Sequence, residues 1–166
     1  MADLIGDGMT KVSWLTTIAD ITAPTATELN AGKHWTERIT PDGLNISPTT
    51  AAVDTGSLAS RDDLSAPGRR NYDGMSITFK RGEISETGTD DEPYETLKYG
   101  TSGYFVVRRG QPYEDAYATG DLVKIYPVKT GEPQDQASAA NTVEKFVAPL
   151  FLRAPAATDV AVVAGA

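Results

Sequence analysis

The side chains able to do chemistry are few in these 166 residues, and their spacing assembles no recognisable active site. The single histidine, His34, sits in Lys33-His34-Trp35 with no serine or aspartate pattern to frame it as a general base. It reads as a surface or interface histidine. The absence of cysteine excludes disulfides, thiolate zinc and thiol catalysis, and one histidine cannot supply the pair or triple of most catalytic zinc sites. Glu83, Glu86, Asp90, Asp91 and Glu92 gather five carboxylates within ten residues. Gly88 lies among them, but the alternating ligands of a calcium loop do not. They read as solvated acids that favour a helix start, or as an acidic surface that repels phosphate. Arg61, Arg69 and Arg70, with Asp62 and Asp63, are either a solvated loop or a docking arm, since arginine pairs well with carboxylates at interfaces. Tyr94, Tyr99, Tyr104, Tyr113, Tyr117 and Tyr126, with Trp14 and Trp35, are core or interface aromatics, or a sugar platform. No Walker A loop, dinucleotide glycine fingerprint, HExxH, EF-hand loop or GxSxG occurs. No catalytic residue, cofactor or metal ligand is assigned, and an enzyme is not expected.

The elements around these residues are mostly strands. The chain carries 15 Lys+Arg against 23 Asp+Glu, a formal charge of −8, and 40% hydrophobic residues. That is enough apolar material for one core, so residues 1–166 are expected to form a single domain. The acidic balance argues against a binder of nucleic-acid phosphates, but not against a surface that lets DNA pass. No apolar run reaches 18 residues, so no membrane-spanning helix and no membrane binding is expected. The N-terminus has no basic segment and carries Asp3 and Asp7, unlike a secretion signal, so synthesis in the cytoplasm is expected.

Short β-branched and aromatic segments between Gly, Pro and Thr predict strands over residues 11–15, 35–40, 75–80, 103–110, 122–129 and 143–152. Pro41-Asp42-Gly43 reads as a turn. Thr25 and Glu28 form a capping-box pattern for a short helix stopped at Gly32. Residues 92–99 predict the better helix, with Asp91 or Glu92 as its cap, Pro93 in the first turn and Gly100 at its end. Residues 54–73 have little periodicity and read as a long loop or arm, and residues 154–166 as an Ala/Val-rich tail. The expected fold is mainly β, a sandwich or small barrel with one flanking helix and a long extended loop.

Several segments are similar to one family. Residues 18–25, running into Glu28-Leu29-Asn30-Ala31-Gly32, resemble the N-terminal region of major tail tube proteins of long, non-contractile-tailed phages of actinobacterial hosts. So do Ile39-Thr40-Pro41-Asp42-Gly43-Leu44-Asn45-Ile46, residues 49–54, 93–104 and 106–110, Gly131-Glu132-Pro133-Gln134-Asp135 and Asn141-Thr142-Val143, in the same order. The resemblance implies a structural virion protein of the tail. Its subunits form hexameric rings that stack into a tube, and sheets of six subunits join around a lumen through which double-stranded DNA passes. It implies tape-measure, terminator and tail-tip proteins as partners, and a long loop reaching a neighbouring ring. Here that loop is 54–73, with Arg61, Asp62, Asp63, Arg69 and Arg70 as contact candidates. The termini are candidates for further arms. Six copies would carry about −48 per ring. Lumen-facing candidates are Ser76, Thr78 and Lys80 on one strand and Lys124 on another, with Asp121 and Glu144 to neutralise the lysines. A capsid-decoration subunit, or a carbohydrate-binding β-sandwich using the tyrosines and tryptophans, are the alternatives.

Overall fold

The computed structural model describes residues 1–85, 88–89 and 91–165. Alternating apolar residues build strand β1 (Thr10–Leu15), which sends Val12 and Trp14 to one face and Ser13 and Leu15 to the other. A capping box starts helix α1 (Ala26–Asn30) as the sequence implies: Glu28 N donates to Thr25 Oγ1 at 3.2 Å and Thr25 N to Glu28 Oε2 at 3.2 Å. β2 (Lys33–His34) and a 3-10 turn (Thr36–Arg38) lead into β3 (Ile39–Asn45). The strand expected over 35–40 is therefore displaced. The expected turn at Pro41-Asp42-Gly43 lies inside β3, where the register shifts between Ile39 and Leu44. Gly43 is required there, because a Cβ would collide with Thr40 Oγ1 and the Thr78 carbonyl.

The rest of the chain supplies β4 (Thr49–Asp54), β5 (Ser65–Asn71), β6 (Ser76–Lys80), β7 (Ile84–Ser85), β8 (Gly88–Thr89) and helix α2 (Glu92–Thr96). Then follow β9 (Ser102–Arg109), β10 (Leu122–Thr130), β11 (Gln134–Asp135), β12 (Lys145–Leu152) and β13 (Ala157–Ala161). The antiparallel order β2-β1-β9-β10-β12-β6-β3 folds over on itself. β12 is the corner: its first half pairs with β6 and its last three residues with β10. One sheet thus holds β2, β1, β9, β10 and β13, and the other β3, β6, β12 and β11. The fold is mainly β, as the sequence implies.

Between the sheets lie Trp14, Trp35, Ile77, Phe79, Phe105, Val128, Phe146 and Leu150. Trp14 stacks on Trp35 at 6.1 Å and Phe79 on Phe146 at 5.3 Å. Each such side chain contributes roughly 1.5–3 kcal/mol on burial. A second cluster covers the opposite face of the first sheet, where Val106, Val123 and Ile125 meet Leu29 of α1, Tyr117 and Val162. The C-terminal segment is therefore not a free tail. β13 pairs with β10, Val162 is buried, and Val163 N donates to Pro24 O at 2.9 Å.

Helix α2 is shorter than the 92–99 expected, because Leu97 turns into the core. Asp91 does not cap it. Its carboxylate accepts from Arg81 Nε at 2.6 Å and from Gly82 N at 3.1 Å. Arg81 also pairs with Asp135 at 2.6 Å and lies over the Tyr94 ring at 3.7 Å, tying α2 to the end of the second sheet.

Candidate functional site

Residues 54–73 are not a structureless loop. β4 and β5 pair into a hairpin that continues the β3–β6 pair: Asn45 faces Ser76, and Thr49 faces Asn71. Six residues at about 3.3 Å each make it roughly 20 Å long. All six residues of β4 are exposed, and on β5 only Ala66 and Gly68 are partly covered. With water on both faces, the hairpin leaves no hydrophobic period to read. Its end is turned by Asp54 Oδ1 accepting from Gly56 N at 2.8 Å, and by Ser57 O accepting from Ser60 N at 2.9 Å. Arg61, Asp62, Asp63, Arg69 and Arg70 all lie exposed on this arm, and none forms an ion pair among the described residues. Val53, Leu58 and Leu64 are exposed there too, Leu58 completely. Sequence reasoning passed over these three. Their signal was apolar side chains with nothing to pack on in a polar segment.

The second free surface is the outer face of the second sheet. Ile77 and Phe79 point into the core, so Ser76, Thr78 and Lys80 point away from it. Across the ladder stand Pro149, Val147 and Lys145. Lys80 and Lys145 face one another without a carboxylate partner among the described residues, an unfavourable juxtaposition in an isolated chain. Glu144 is exposed beside them. Phe151, on the same face of β12, is 63% exposed.

The other two lumen candidates lie elsewhere. Lys124 pairs in register with Val107 and shares its face with Tyr126, so it sits at the open end between the sheets. Asp121 is buried. It accepts from Arg108 Nη1 at 3.1 Å, Gln111 Nε2 at 2.8 Å and Ala118 N at 3.0 Å. Burial alone would raise its pKa, but those hydrogen bonds and the Arg108 charge outweigh it and hold the carboxyl below the usual aspartate range. Arg108, itself fully buried, also donates to the carbonyls of Ala116, Pro112 and Asp115, which fixes the segment 110–121 on the sheet.

The remaining candidates carry structural roles. His34 Nδ1 lies 2.7 Å from Ser13 Oγ, the two atoms of a hydrolytic pair. Ser13 is wholly buried, however, and its hydroxyl is shared with Tyr117 at 2.8 Å, so no substrate reaches it. Burial and the nearby Lys11 charge lower the His34 pKa, while Asn30 O acts against them. Trp14, Trp35, Tyr117 and Tyr126 are buried, so these four cannot present a sugar platform. Of the acidic run, Asp91 binds Arg81, Glu92 binds Lys33 at 2.8 Å, Glu83 is exposed, and Glu86 and Asp90 lie outside the described residues. Among the described residues no group of three or more His, Asp or Glu is placed to hold a metal ion. Among the described residues no helix is long and apolar enough to cross a membrane.

A family model for phage tail tube proteins matches residues 1–165. No curated protein matches the chain significantly. Among solved structures, a chain of the anti-feeding prophage baseplate, determined by cryo-electron microscopy with six-fold symmetrisation, is similar with a TM-score of 0.51. Its sequence identity is 13%, and the match covers 93% of this chain and 95% of that one. At that identity the likeness is one of fold.

Proposed function

The chain belongs to the phage tail tube protein family, a structural component of the virion tail, and from that premise we propose that it is the major tube subunit of a long, non-contractile tail. Six copies close a ring, rings stack into a hollow tube, and double-stranded DNA passes through without sequence-specific contact. The tape-measure, terminator and tail-tip proteins are its further partners, it does no catalysis, and it is made in the cytoplasm of an actinobacterial host.

The observation that carries this reading is the arm. A paired hairpin that buries none of its own side chains, yet exposes Leu58, Leu64 and unpaired charges, has no use in a solitary domain. A neighbouring subunit would cover it. Two further features agree. β3 and β13 each pair on one side only, which leaves backbone edges for ring closure. The outer face of β6 and β12 is only partly covered by the described residues, which favours Ser76, Thr78, Lys80 and Lys145 over the buried Asp121 as lumen residues. The six-fold baseplate that shares the fold supports the ring symmetry by analogy.

The test is negative-stain electron microscopy with sedimentation, with and without tail-tip complexes as nuclei. Six-fold rings or hollow tubes support the proposal. A chain that stays monomeric even on tail-tip complexes overturns it.

A further inference from the structure

At the open end between the two sheets, beside the base of the arm, lies a cavity of about 110 Å³. Leu44, Ile46 and Val107 contribute apolar walls, and Arg109, Lys124, Tyr72, Tyr126 and Thr158 contribute polar ones. The two cations come from neighbouring strands and the same face. Arg109 follows Val107 by two residues on β9, and Lys124 is the register partner of Val107 on β10. Two positive charges are thus held together on a rigid ladder, and neither has an ion-pair partner among the described residues. Asp159 is close enough to act on Tyr126 electrostatically, but it pairs with neither cation.

Tyr126 places a neutral donor in the same cavity. Its side chain is more than nine-tenths buried, with the ring packed edge-on against Tyr72 at 6.2 Å. Its hydroxyl lines the cavity and makes no hydrogen bond among the described residues. The hydroxyl is not one of the buried unpartnered atoms, so it opens to the cavity, where water or a bound group can accept from it. Burial also raises its pKa, the largest influence on it, so it stays a protonated donor at neutral pH.

From this convergence we propose that Arg109, Lys124 and Tyr126 form a binding site for one oxyanion, a carboxylate or phosphate group. Arg109 and Lys124 supply charge-assisted hydrogen bonds and Tyr126 a neutral one. The cavity has room for several waters, which suits a single carboxylate or phosphate and not a larger ligand. The chain has eight more acids than bases, so a carboxylate of a second copy is one source and a free anion the other. The site itself does not depend on the tube reading, whereas the second-copy source does.

The experiment titrates the monomeric protein with inorganic phosphate and with acetate at low ionic strength, using chloride as the control, and follows the Tyr126 and Lys124 resonances by NMR. Saturable 1:1 binding is expected, weakened about tenfold or more in Arg109→Gln and in Lys124→Gln and less in Tyr126→Phe, with unchanged thermal midpoints. Binding that the three substitutions leave unaltered, or no binding of either anion, overturns the site. Phosphate that inhibits wild-type assembly assigns the site to a neighbour's carboxylate. Assembled protein that retains one phosphate per subunit assigns it to a free anion. If phosphate binds as expected but no ring or tube forms under any condition, the site stands and the tube proposal falls.

Discussion

Replacing Leu58 and Leu64 together by serine should separate folding from assembly. In the isolated chain Leu58 is 107% exposed and Leu64 50%. Neither belongs to a core cluster, so their loss should change the stability of the monomer by no more than about 0.5 kcal/mol. In an assembly that covers the arm, burying a leucine contributes roughly 1.5–3 kcal/mol. Giving Leu58 most of that range and Leu64, already half covered, about half of it totals about 3 kcal/mol per subunit added. At about 1.4 kcal/mol per decade, the critical concentration for tube growth should rise on the order of 100-fold. The assay is sedimentation of the polymer across a concentration series, with thermal unfolding of the monomer alongside. Polymerisation at the wild-type concentration would refute the reasoning, because the arm would then not be buried. A clear fall in the monomer's thermal midpoint would also refute it, because the leucines would then be holding the fold.

Other substitutions probe the scaffold. Arg108→Met should cost about 3–5 kcal/mol in chemical denaturation, since it leaves Asp121 buried without its counter-charge and frees three carbonyls. In the wild type, the lowered Asp121 pKa means that this carboxylate stabilises the fold above the ordinary aspartate range. That contribution is lost as the pH falls through the lower folded value, so an acid titration of Asp121→Asn should show a shallower decline. Gly103→Ala should cost about 1–3 kcal/mol in thermal melts, because its Cβ would overlap the Trp14 ring and lie 2.8 Å from the Leu15 carbonyl. Thr25→Ala removes the α1 cap and should cost about 1 kcal/mol in the same assay.

Legibility in the sequence tracked burial. The β6, β9, β10 and β12 segments could be read because each has a side that must be apolar, and Thr25 and Glu28 declared their helix because capping is local chemistry. The arm could not be read as a hairpin, since strands wet on both faces have no hydrophobic alternation. The Ala/Val-rich C-terminal segment resembled a tail because its partner, β10, lies some 35 residues earlier in the chain, as in the pairing of Val160 with Val123. Asp91 precedes Pro93 as a cap would, yet Arg81 takes its carboxylate, and no local pattern encodes that choice. The lumen candidates do not share one face, for a reason of parity. Lys124 follows the β10 alternation to the inner side, whereas Ser76, Thr78 and Lys80 follow that of β6 to the outer. Arg108 did leave a signal, a charge directly after Phe105-Val106-Val107, whose burial demanded an acid such as Asp121.

The most direct test is a cryo-electron microscopy reconstruction of the polymer grown from the purified chain. Six subunits per ring are expected around an open bore, with the outer face of β6 and β12 lining it and the β4–β5 arm seated on a neighbouring subunit. A polymer without a bore, a ring with another face inward, or an arm left in solvent would contradict a tube subunit built in this way.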